Sequence, residues 1–274
     1  MKTDLDDKLF AFWNDNYEYY SIAEQVEYEP YLVAARKKLV EAIVADSIVL
    51  DVACGSGLLL KDISAMAKYF GVDISDAALK LALKRKNNNS HLVKTDVSKL
   101  PFKDETVDVS LCVNSLEHFT DPKSVIDEMW RITKKNGKII FISPNWGDYI
   151  FKAPPSLSCN RSLLIKTKYI FNQFLMQTLR MINRRSFFFP IFDCSAALKE
   201  RFVPDIDAIY AVSMREIENY FRYKGASHIN VDLRNQFNLA LPLRKNIAKN
   251  MLRAFKRVNS YYKYHGANLI IVTK

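Results

Sequence analysis

Short apolar runs recur along the chain, with helical patterns between them. SIVLDV (residues 47–52) is a continuous β-rich run, as expected of a strand buried on both faces. The pattern returns in YFGVDIS (69–75), HLVKTD (91–96), VDVSLCV (107–113), GKIIFIS (137–143), HINVDL (228–233) and ANLIIVT (267–273). Between these lie the helical patterns LLLKDISAMA, DAALKLALKRK, PKSVIDEMWRITKK and SMREIENYF, and YLVAARKKLVEAI precedes the first strand. Seven strands alternating with helices predict an α/β fold with a doubly wound sheet. Asp121 and Pro122 suit the N-cap and first position of a helix, and Gly137 in KKNGK suits a left-handed C-cap. Two stretches interrupt the rhythm. Residues 148–212 are far longer than a crossover needs and predict an inserted helical cap. Residues 243–264 predict a basic helical stretch before the last strand.

Composition adds little to this except in charge. A hydrophobic fraction of 49% and a charged fraction of 26% are ordinary for a soluble domain. No apolar run approaches the roughly 20 residues of a membrane span. The opening MKTDLDDKLF is acidic and has no signal-peptide core. Cys54, Cys112, Cys159 and Cys194 form no C-x-x-C pair, which fits free thiols in a reducing cytoplasm. The net charge of +10 is concentrated. Residues 150–192 hold seven Lys/Arg and no acid, and residues 233–274 hold nine and no acid. Those 16 positive charges exceed +10, so the rest of the chain carries 10 − 16 = −6. Two basic segments imply an anionic partner: a lipid surface, a phosphorylated substrate or nucleic acid.

The chemistry begins at DVACGSG (51–57), directly after the first predicted strand. Gly55 and Gly57 match the first two glycines of G-x-G-x-x-G, and Leu60 stands where the third belongs. The loop therefore suits a smaller anion than a pyrophosphate, such as a carboxylate. Asp73, at the end of the second predicted strand, is placed to take both ribose hydroxyls. Asp96, at the end of the third, is placed to accept from an adenine amino group. Together they predict an adenosine carrying a small anionic tail.

VLDVACGSG, GVDIS, KTDVSKLPFKDETVDVSLCVNSLEHFTDP and VIDEMWRITKKNGKIIFISP resemble, in order and spacing, the motifs of class I S-adenosylmethionine-dependent methyltransferases, in particular the ubiquinone/menaquinone-methyltransferase-like branch. The resemblance covers about residues 30–145 well and 213–274 loosely. It implies a Rossmann-like methyltransferase sheet with S-adenosyl-L-methionine as cofactor. By position it implies that Asp51, Gly55 and Gly57 shape the methionine pocket, that Asp73 holds the ribose, and that Asp96 with Val97 contacts adenine. Asn114 would lie near the transferred methyl. Ala53, where the family usually has glycine, and Ile74 complete the implied cofactor set. Residues 1–29 would be a helical segment over the cofactor, with Tyr19 and Tyr20 as candidates to close it, followed by a core (30–147), the cap (148–212) and the rest of the sheet (213–274).

His118 and Glu117 in NSLEHF are the candidates for a general base, should the acceptor need to lose a proton; the alternative for His118 is a helix-start histidine bonded to backbone. The same LEH resembles quinone-pathway O-methyltransferases, in which an E-x-x-E-H cluster is linked to a divalent metal. Asn114 replaces the first glutamate, so no metal is expected.

In the fold that the resemblance implies, the segment between the fifth and sixth strands commonly builds the acceptor site, and here that segment is the cap. Lys166, Gln173, Gln177, Arg180 and Arg184 form one helical stripe, and Leu164, Phe171, Leu175, Leu179 and Ile182 the opposite one. Phe187, Phe188 and Phe189 follow, as candidates to bind the acceptor. The helix either packs on the domain, or lies on an anionic membrane through residues 162–192 with help from 243–264. The expected function is methyl transfer to a small-molecule or lipid-linked acceptor, quinone-like or glycan-like. The alternatives are an RNA methyltransferase, with Tyr261, Tyr262 and Tyr264 stacking on bases, and a non-catalytic cofactor-binding protein of the same fold.

Overall fold

The computed structural model describes residues 4–26, 30–148, 153–158, 163–182, 193–195, 197–199, 205–232 and 267–274. In chain order the elements are α1 (Asp4–Asp15), α2 (Tyr17–Val26), α3 (Pro30–Glu41), β1 (Ile48–Val52), α4 (Leu60–Ser64), β2 (Lys68–Asp73), α5 (Asp76–Leu83), β3 (Ser90–Lys94) and β4 (Val107–Val113). They continue with α6 (Pro122–Ile132), β5 (Thr133–Pro144), α7 (Pro155–Ser158), α8 (Leu163–Ile182), α9 (Met214–Lys224), β6 (His228–Asp232) and β7 (Ala267–Thr273). Short 3-10 turns stand at Leu116–His118 and Ala197–Lys199.

The seven strands form one sheet in the order β3-β2-β1-β4-β5-β7-β6. β1 to β5 pair in parallel, whereas β7 runs antiparallel to both its neighbours. The chain winds outward from β1 to β3 and then returns to lay β4 against β1. The order thus reverses between β1 and β4, and a crevice opens beyond their carboxyl ends. Alternation along the strands feeds two cores. In β5, Ile139 and Phe141 face one side with α6 and α9, while Ile140 and Ile142 face the other with α3 and α4. Burial on both faces explains why the central strands read as unbroken apolar runs.

Two local expectations change. The pattern PKSVIDEMWRITKK is helical only to Ile132, because the chain enters β5 at Thr133. Asp121 is the N-cap, its side chain accepting from the Ser124 N–H at 3.1 Å. Gly137, however, is not a left-handed cap: it lies within β5, and the left-handed residue is Asn136, with φ of 62°. Glycine is needed at 137 because of close approach. A Cβ there would lie 2.7 Å from Thr133 Cγ2 and 2.8 Å from the carbonyl oxygens of Asp108 and Lys134.

For α8 the sequence left two readings open. Of its polar stripe, Gln173 is fully buried, its Nε2 donating to Tyr169 Oη at 2.7 Å, and Lys166 is half-buried. Tyr169, between the stripe's residues, supplies the apolar anchor, packing with Leu157 of α7 and Ala211. Leu164, Phe171 and Leu175 of the predicted apolar face are exposed, and Leu179 is half-buried. The side chains of Gln177, Arg180 and Ile182, and all of Arg184, Phe187, Phe188, Phe189 and 243–264, lie outside the described residues.

Gly137→Ala should lower stability by about 1–3 kcal/mol through overpacking against two carbonyls, read as a lower urea midpoint at unchanged m-value. An unchanged midpoint would mean that β5 and the Asp108 segment separate without cost.

Candidate active site

The crevice is built around the turn that leaves β1. Ala53, Gly55 and Gly57 all take left-handed backbone, with φ of 57°, 53° and 74°. Such a conformation costs a residue with a Cβ roughly 1–2 kcal/mol, which is why the family's glycine at position 53 is physically sensible and why Ala53 carries strain. The turn is held from β2. Cys54 N–H donates to Val72 O at 2.9 Å, and Gly55 N–H donates to Asp73 Oδ2 at 2.9 Å. The other carboxylate oxygen of Asp73 accepts from Ser75 N–H at 2.8 Å. Burial pushes the Asp73 pKa up, and these backbone N–H groups pull it part of the way back. Asp51, also buried, accepts from Tyr69 Oη at 2.7 Å.

A cavity of about 630 Å³ lies over this turn. Asp51, Ala53, Gly55, Asp73 and Ile74 line its β1–β2 side. Asp96 and Val97 line it beyond β3; Asp96 is exposed, its Oδ1 accepting from Ser98 N–H at 2.9 Å, and Val97 is buried. Asn114 lines it beyond β4, left-handed with φ of 48°, its N–H donating to Ile142 O at 2.7 Å. Gly57 does not line the cavity. A Cβ at Gly57 would meet Ala82 Cβ at 3.0 Å, so this glycine packs the turn against the end of α5. It performs the close-packing task that the missing third glycine performs in a dinucleotide site, and Leu60 is left as a buried core residue.

The N-terminal helices form the outer wall. Leu9, Trp13, Tyr19 and Tyr20 line the cavity. They are pinned at several points: Ser75 Oγ donates to Trp13 O at 3.0 Å, Asp76 N–H donates to Asn14 Oδ1 at 2.9 Å, and Thr120 Oγ1 donates to Asp6 Oδ1 at 2.6 Å. Arg85 bridges Glu24 at 2.9 Å and the Ser56 carbonyl at 2.7 Å, tying α2 to the glycine turn.

At the cavity's edge the turn after β4 places His118 in a buried ion pair. Its Nδ1 lies 3.1 Å from Asp207 Oδ2, and Trp13 Nε1 donates to the same carboxylate oxygen at 2.8 Å. Burial alone would lower the imidazole pKa, but Asp207 outweighs it and brings it up to about 10. Burial pushes neighbouring Glu117 up to about 7, against the pull of the His118 charge. Glu117 Oε2 accepts from Ser143 Oγ at 2.8 Å, and its Oε1 lies 4.0 Å from His118 Nε2. The Glu117 carbonyl accepts from the N–H groups of Ile209 and Tyr210, both at 2.9 Å. Among the described residues Glu117, His118 and Asp205 bring three possible metal-ligand atoms within 4.8 Å of one another. Asp207 sits on Nδ1 and leaves Nε2 facing Glu117, as in sites where a carboxylate orients a ligating imidazole, while Asn114 supplies no carboxylate to the group.

Residues 50–141 match the family model described as a methyltransferase domain. The chain carries a class I S-adenosylmethionine-dependent methyltransferase domain. It resembles the ubiquinone/menaquinone branch. Over 106 residues it is 36% identical to the ubiquinone biosynthesis O-methyltransferase of Nitrosomonas europaea, covering 37% of this chain and 45% of that protein. It thus spans less than half the length of that relative. Over 178 residues it is 28% identical to the demethylmenaquinone methyltransferase of Renibacterium salmoninarum, covering 60% of this chain and 74% of that protein. A solved S-adenosylmethionine-dependent methyltransferase from Archaeoglobus fulgidus superposes with a TM-score of 0.55 at 16% identity, over 93% of this chain and 99% of that one. At that identity the likeness is one of fold.

In this methyltransferase domain the predicted residues Asp51, Ala53, Gly55, Asp73, Ile74, Asp96, Val97, Asn114 and His118 all reach one cavity. Tyr19 and Tyr20 reach it as well. Sequence reasoning missed Asp207 and Trp13. Asp207 sits in DID (205–207), inside the insertion and with no motif around it, so nothing in the pattern marks it as the partner of a histidine some ninety positions earlier. The partner of His118 is a carboxylate side chain, not backbone.

The ion pair has a pH signature. His118 rises from an ordinary 6.5 to about 10 on folding, so its stabilisation is full below about pH 6.5 and is lost as pH rises toward 10. Glu117, raised from 4.5 to about 7, also makes folding less favourable as pH rises through that lower window. Melting temperature should therefore decline with pH across both ranges. In His118→Gln the decline above pH 6.5 should flatten. An identical pH profile in the variant would show that the pair is not formed in solution.

Proposed function

We propose that this protein transfers a methyl group from S-adenosylmethionine to a small-molecule or lipid-linked acceptor, quinone-like or glycan-like. The observation that carries the reading is Asp73. One buried carboxylate closes the glycine turn through Gly55 and also lines the cavity, and a carboxylate has acceptor positions beyond the two that the backbone uses. Those positions suit two ribose hydroxyls. The left-handed turn beside it suits the carboxylate tail of the donor, Asp96 and Val97 flank the space for adenine, and Asn114 stands at the end where the methyl would be. The acidic lining, with Asp51, Asp73 and Asp96, favours a donor that carries positive charge.

S-adenosylmethionine, when bound, supplies a methyl group on a sulfonium that needs only in-line displacement. The chain's own task is to bind, align and exclude water. Helices α1 and α2 serve the last of these, since their side chains cover the cavity and are bonded to both the β2 and the β4 ends of the site. Asp207 favours the cationic form of His118, which works against a general-base role at neutral pH. The histidine is suited to face an oxygen or anionic group of the acceptor as a hydrogen-bond donor, with Asp207 and Trp13 as positioning residues.

Titration calorimetry with S-adenosylhomocysteine tests the donor site. Asp73→Asn, nearly isosteric, removes charge-assisted hydrogen bonds worth about 1.5–3 kcal/mol and should weaken binding about tenfold or more. Equal affinity in the variant would remove Asp73 from the site. Transfer of labelled methyl to a phenolic quinone precursor or a lipid extract, and not to RNA, identifies the acceptor class; transfer to RNA alone would overturn it.

A further inference from the structure

We propose that α8 is an interfacial helix, which lays its outward apolar stripe into the surface of an anionic lipid bilayer. At 20 residues it is roughly 30 Å long. Helical spacing puts Leu163, Leu164, Ile170, Phe171, Phe174 and Leu175 on the outward arc, with Thr167 and Thr178 between them. Leu164 is 77% exposed, Phe171 64% and Phe174 59%. Of the eleven large hydrophobic side chains that are exposed among the described residues, seven belong to this one helix. The buried arc, by contrast, holds Gln173. A soluble helix is ordinarily packed the other way round, with its apolar stripe toward the core.

Charge selects the occupant. Residues 150–192 contain seven Lys/Arg and no acid, and Lys166 and Lys168 border the apolar arc on either side. An apolar face with cationic borders meets two demands at once in an anionic bilayer: acyl chains for the stripe and lipid phosphates for the rim. Nucleic acid would want charge on the face itself, which has none. A second copy of this chain would bring the same positive charge to the same face.

The position of α8 connects this surface to the site. Its inner side packs through Tyr169 on Ala211, and the adjoining residues Ile209 and Tyr210 donate to the Glu117 carbonyl. A bilayer touching α8 would therefore lie across one helix from the segment that bonds to Glu117, the neighbour of His118. The inference deepens the acceptor reading and rests on it only for what the docked protein methylates. The helix does not cross: among the described residues none is long and apolar enough to span a membrane.

Cosedimentation of the full chain with vesicles tests this. It should pellet with vesicles of equal parts phosphatidylglycerol and phosphatidylcholine, and much less with phosphatidylcholine alone. Phe171→Ser with Phe174→Ser should lower the partition coefficient about tenfold or more, while S-adenosylhomocysteine affinity, which also reports folding, stays unchanged. The proposal is overturned if the full chain stays in the supernatant with anionic vesicles, if the double variant pellets equally, or if the face instead mediates a dimer in analytical ultracentrifugation without lipid binding. Pelleting by a chain that binds no S-adenosylhomocysteine would support the helix and count against the donor reading alone.

Discussion

The candidate site depends on the bonds from Asp73 to the backbone N–H groups of Gly55 and Ser75. A turn with three left-handed residues is a poor local minimum, and one of the three is an alanine. The carboxylate at the end of β2 holds it in place, and parallel pairing of β1 with β2 sets the carboxylate at the right height. The reversal of strand order between β1 and β4 then leaves open space above the turn. Burial makes the carboxylate costly to ionise, which the two N–H donors offset. A ligand offering hydroxyls would offset it further.

A second interaction ties distant parts of the chain to the same cavity. Asp207 pairs with His118 from the turn after β4 and accepts from Trp13 of α1, so the insertion, the N-terminal wall and the sheet meet at one carboxylate. Its charge is set by that geometry: a buried carboxylate alone would gain a proton, and a buried imidazole alone would lose one. Side by side they hold opposite charges, with Asp207 lowered and His118 raised.

The sheet was legible because its central strands are buried on both faces and therefore read as apolar runs, and the cavity residues were legible because each sits at or just beyond a strand end. Gly55, Asp73, Asp96 and Asn114 are each placed by a strand that the pattern reveals. What was not legible depends on contacts between elements remote in sequence. Gly137 looks like a helix cap and is a glycine because of Asp108 and Lys134. Gly57 looks like part of the ligand turn and packs against Ala82. Asp207 has no local signature at all. The two stripes of α8 were legible from their spacing, but not that Tyr169 and Gln173 are buried, since that depends on contacts with Leu157 and Ala211.

Donor and acceptor sides are thus built by different means. The proposed donor side is an ordered set of strand ends, whereas the insertion proposed for the acceptor turns apolar residues of its described part outward. If the Asp73-held turn cradles the donor, a bound ligand must show it. A crystal structure with S-adenosylhomocysteine tests it directly. Both ribose hydroxyls should lie within hydrogen-bond distance of Asp73, and the amino-acid end over Ala53 to Gly57. A ligand seated elsewhere, or a ribose that leaves Asp73 bonded to backbone alone, would contradict it.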